Sequence, residues 1–134
     1  MSWDIFVQDL PADAETVDAI PADFVPRPLG SRADIIAAIR RVVPSANFTD
    51  PTWGQIEAPA FSIEVNLGHD DVVGSFALHV RGGDEAVACV AAILDALGVR
   101  AIDSSSGEFF NREAAAQSFG RWRRYRDQVI DSDG

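Results

Sequence analysis

The chain is predicted to be an α+β two-layer sandwich. Apolar and polar residues alternate over 61–67 and 76–81, and apolar residues recur at helical spacing over 31–43 and 84–97. The order of these segments is the third observation. Strand, helix, hairpin, helix, strand is the ferredoxin-like split β-α-β arrangement, whose helices cover one sheet face. An added hairpin strand and a C-terminal helix complete the expected single domain, which spans all 134 residues.

Trp3 to Asp9 is rich in β-prone Trp, Ile, Phe and Val and stops before Pro11, which predicts a first strand. The stretch 10–30 holds four prolines and several acids, so it reads as a long loop pinned by Ile20, Phe24 and Val25; a short helix around Glu15 to Ile20 is left open. Ser31 then caps a helix, with Asp34 three residues on and Ile35, Ile36, Ile39, Val42 and Val43 along one stripe until Pro44. A turn-rich loop leads to a short strand at Gln55 to Glu57. Phe61, Ile63, Val65 and Leu67 face one way and Phe76, Leu78 and Val80 likewise, so two half-buried strands form a hairpin through Gly68-His69-Asp70-Asp71. Gly82-Gly83 breaks the second strand, and Asp84 is expected to cap a helix ending at Gly98. Val99 to Ile102 make a last strand. Beyond the turn DSSSGEFF, Asn111 can cap a helix whose Ala115, Phe119, Trp122, Tyr125, Arg126 and Val129 share a stripe.

Composition excludes several chemistries. There are eleven Arg and no Lys, twenty-one acids and a net charge of −10, so the field repels nucleic acid and anionic membranes. Without Lys there is no Schiff base and no phosphate-loop lysine. Cys89 is the single cysteine, which forbids an internal disulfide. The start MSWDIFVQDL lacks a basic n-region, and no apolar run approaches the roughly 20 residues of a membrane span, so a soluble cytoplasmic protein is expected.

Few residues point to chemistry. Glu64, Asn66, His79 and Arg81 should project from the polar face of adjacent strands, where an acid, an imidazole and a guanidinium can bind a polar ligand or shuttle a proton. A solvated sheet face carries the same residue types for its own reasons. Asp103, Ser105 and Glu108 gather in a turn after a predicted strand, close to where HVRGGD ends, and complete a candidate ligand site. No serine sits in a nucleophile elbow, so no catalytic residue is assigned. HVRGGD lacks the third glycine of a dinucleotide fingerprint, and His69, Asp70 and Asp71 lack metal-ligand spacing; neither cofactor nor metal is expected. Arg121, Arg123 and Arg124 interleave with Trp122 and Tyr125, a pattern that can grip nucleic acid, but the whole-chain charge favours pairing with carboxylates.

His79 to Gly83, Asp103 to Phe109, and Trp122 with Tyr125 to Val129 together resemble a family of small bacterial proteins without an established activity. That family is similar in turn to small acidic immunity proteins encoded near toxins. The resemblance covers the C-terminal half, implies a bacterial cytosolic domain and assigns no functional residue. The leading expectation is a noncatalytic acidic interaction domain, an immunity-like inhibitor of a basic protein reached by electrostatic steering. A small-molecule binder or minor enzyme using His79, Arg81, Asp103, Ser105 and Glu108 is the alternative, and a homo-oligomeric assembly module the third.

Overall fold

A computed structural model describes residues 3–111 of the chain, which form a mixed α+β domain with an antiparallel main sheet and two helices. The strands are β1 (Trp3–Gln8), β2 (Gly30–Ser31), β3 (Trp53–Glu57), β4 (Phe61–Asn66), β5 (Val72–Val73), β6 (Ser75–Gly82), β7 (Arg100–Asp103) and β8 (Glu108–Phe109). The helices are α1 (Arg32–Val42) and α2 (Asp84–Leu97). Six strands form one sheet in the order β3-β4-β6-β1-β7-β8, and β2 pairs with β5 outside it. The C-terminal helix expected after Asn111 lies outside the described residues.

Each helix starts and stops for a local reason. The Ser31 hydroxyl accepts the Asp34 N–H at 3.1 Å, and Arg40 and Arg41 occupy the last turn of α1, where cations suit the negative helix end. Pro44 then prevents continuation. The α2 N-cap is Gly83 rather than the expected Asp84, which is instead the first helical residue; there its charge, with that of Glu85, still meets the positive helix end. Gly98 closes α2 in the left-handed conformation, at φ 64°, as expected from its place after the last apolar residue.

Alternation along the strands divides the sheet into two faces. Ile5 and Val7 of β1, Ile56 of β3, Ile63 and Val65 of β4, and Leu78 and Val80 of β6 are buried with Ile35 and Ile39 of α1 and Val90 and Ile93 of α2. This is the core. Val42, expected on the buried stripe of α1, is instead exposed in its final turn.

Two connections differ from expectation. The link between β4 and β6 is longer than a four-residue turn, because Val72–Val73 pair with Gly30–Ser31 and tie the hairpin to the start of α1. In the 10–30 loop the buried anchors are Leu10 and Ala14, whereas Val25 is 79% exposed. The Arg100 guanidinium donates to the carbonyls of Pro11 and Ala14, Asp9 accepts the Arg27 N–H at 2.8 Å, and Glu108 accepts the Val17 N–H at 3.2 Å. The loop is thus held by the burial of Leu10 and Ala14 together with hydrogen bonds to its carbonyls and amides, and not by Val25. The open question at Glu15 to Ile20 resolves as one 3-10 turn, Val17–Ala19.

Candidate functional site

The strand registers place side chains in rows across the outer face of the sheet, away from the core. One row runs Gln55, Glu64, His79 and Asp4 over β3, β4, β6 and β1. His79 Nδ1 lies 2.8 Å from Asp4 Oδ1; a carboxylate only accepts, so Nδ1 carries the hydrogen. The Trp53 ring stacks on the imidazole, with centroids 5.7 Å apart and planes 21° apart. Arg81 Nη1 donates to Glu64 Oε1 at 3.4 Å, a half-exposed pair worth about 0–1 kcal/mol. The expected grouping of Glu64, Asn66, His79 and Arg81 on one face is therefore observed. Asp4 and Trp53 were missed, although alternation within the first strand already sets Asp4 opposite to Ile5.

The neighbouring row is apolar. Trp53 pairs with Asn66, Asn66 with Ala77, Ala77 with Phe6, Phe6 with Ile102, and Ile102 with Phe109, so one line of residues crosses all six strands. Only Asn66 is polar. Phe6, at its centre, is 45% exposed, an unusual cost for a residue of this size in water. An apolar stripe bordered by a charged one is the arrangement of a recognition surface with a greasy centre and a polar margin.

Asp103 lies on the other face. It pairs with Ile5, is 5% exposed, and its Oδ1 accepts from the Trp3 indole at 2.6 Å, the Ser105 N–H at 2.9 Å and the Ser105 hydroxyl at 2.6 Å. Glu108 pairs with Asp103 in β8 and holds the Val17 amide. The structure thus brings Glu64, His79 and Arg81 together and separates them by the sheet from Asp103, Ser105 and Glu108. Those three close the β7-β8 hairpin.

Other features have local roles. Among the described residues no buried side-chain nitrogen or oxygen lacks a partner, no three His, Cys, Asp or Glu side chains are placed to hold a metal ion, and no helix is long and apolar enough to cross a membrane. Burial pushes the Cys89 thiol up from its usual range, which makes it a poor thiolate source. The Asp50 carboxyl is held below its usual range by the Thr52 hydroxyl and N–H, a turn-closing pair of bonds at 2.6 and 2.9 Å. The outer edge of β3 is occupied at Gln55, whose N–H and carbonyl both bond Asn47. Comparison with protein-family models, with curated proteins and with solved structures returns no match to this chain.

Proposed function

We propose that the protein is a noncatalytic acidic interaction domain whose outer sheet face receives a cationic, aromatic-bearing segment of a basic protein, as an immunity-like inhibitor would. The observation that carries this reading is the pair of parallel rows: apolar residues from Trp53 to Phe109, bordered by Glu64 and Asp4. An aromatic side chain of the partner covers Phe6, and arginines alongside it meet the carboxylates. Charge gives the same sign over longer range. Residues 1–111 carry six arginines against seventeen acids, so a basic partner is steered inward. The order β7-β1-β6-β4 with two helices supports the ferredoxin-like reading of the fold.

Calorimetric titration with a twelve-residue Arg/Trp peptide tests the reading. Binding is expected at about 20 mM salt and is expected to weaken at least tenfold at about 300 mM, as the Debye length contracts from about 20 to about 6 Å. Asp4→Asn with Glu64→Gln should weaken the low-salt binding by a further several-fold. A salt-insensitive affinity, or none, counts against it. A second reading, a polar small-molecule site, is favoured by one observation, the Trp53 ring stacked on an imidazole already held by Asp4. There His79→Gln would abolish binding that the peptide titration leaves intact.

A further inference from the structure

We propose that a second copy of this chain covers the outer sheet face in a two-fold dimer, so that the face proposed above for a basic partner is closed until that partner displaces the copy. The register provides the first argument. Six strands in the order β3-β4-β6-β1-β7-β8 have their midline between β6 and β1, where Phe6 stands beside Ala77. A two-fold axis along that midline lays each residue of the apolar row on the position equally far across it in the other copy, as an isologous interface requires. Phe6 of each copy then meets Ala77 of the other, large against small. Trp53 meets Phe109 at both ends of the row, aromatic against aromatic.

Charge is the second argument. In the neighbouring row Asp4 and His79 flank the same midline, so the axis sets His79 of one copy on Asp4 of the other. Glu64 falls on Ser104, whose N–H bonds the Asp4 carbonyl in the next strand. No carboxylate of this row meets another. Area is the third argument. Six strands at about 4.8 Å and four rows of side chains at about 6.8 Å give a face of about 24 by 20 Å, or about 1,000 Å² over two copies, the lower bound of a specific interface. Each copy carries a net charge of −10, so the two repel at long range and attract only in contact. Salt therefore tightens the dimer while it loosens a basic partner.

The inference rests on the same face as the proposed function but not on the existence of a partner. Sedimentation equilibrium of the full chain, from about 5 μM to about 1 mM as an interface of this size requires, tests it. The average mass is expected to rise toward twice that of the chain, at lower concentration in about 300 mM than in about 20 mM salt. Phe6→Ala and Ala77→Phe should each weaken the dimer about tenfold, the first by a hole and the second by a clash, and the double exchange should restore it to within about threefold. A monomer throughout, a dimer that salt weakens, or a double variant no better than the single ones overturns the proposal. The Arg/Trp peptide separates the two claims. If the chain dimerises and the peptide leaves its mass distribution unchanged, the partner reading fails and the dimer stands. If the peptide binds a chain that is monomeric at every concentration, the dimer fails and the partner reading stands.

Discussion

Replacing Gly82 with alanine is expected to destabilise the domain by about 3 kcal/mol or more, whereas the same change at Gly83 should cost under about 1 kcal/mol. Gly82 ends β6 opposite Phe61, at φ 127°, a backbone conformation that favours glycine. A Cβ there would lie 2.5 Å from Phe61 Cβ, 2.6 Å from Phe61 Cα and 2.6 Å from the Ala60 carbonyl oxygen. Two of these contacts are backbone and cannot swing aside, so β4 has to move. Gly83 has nothing within 4 Å of the same construction and a negative φ. Chemical denaturation of the two variants side by side measures the difference, and equal losses would contradict the close approach of β4 to β6. The adjacent glycines of HVRGG thus serve different ends, one for packing and one as a helix cap.

Asp103→Ala should cost about 2–3 kcal/mol, and Asp103→Asn markedly less. The alanine leaves the Trp3 indole, the Ser105 amide and the Ser105 hydroxyl without their shared acceptor at a nearly buried site. Asparagine keeps an oxygen in place. Denaturation midpoints check the ranking, and Trp3 fluorescence reports whether the indole is released. Peptide affinity should be unchanged in both variants once folded, since Asp103 lies across the sheet from the outer face. A selective loss of binding with unchanged stability would move Asp103 back into the ligand site.

Local chemistry made much of this fold legible. The Ser31 cap and the Ile35/Ile39 spacing specify α1 without help from the rest of the chain, and alternation at Phe61–Val65 and Phe76–Val80 specifies the central hairpin. What escaped depends on partners distant in sequence. Val72–Val73 form a strand only because Gly30–Ser31 lie beside them, and the 10–30 loop is placed by Arg100, whose targets precede it by more than eighty residues. The site shows the same division. Glu64 and His79 could be put on one face from alternation alone, but the Asp4 carboxylate reaches His79 across 75 positions. Asp103 was read by its residue type, a turn former, when its parity with Ala101 already directed it to the buried side.

The apolar row was hidden for a related reason. Phe6, Ala77, Ile102 and Phe109 are unremarkable within their own strands and become a line only when the register is known. The central claim concerns that line, so the most direct measurement is a backbone amide shift map of the full chain titrated with the Arg/Trp peptide at low salt. Perturbations confined to Phe6, Ala77, Ile102, Glu64, His79 and their row neighbours, lost at high salt, are predicted. Perturbations centred on α1 and α2, or none along the row, would contradict the assignment of the outer sheet face as the interaction surface.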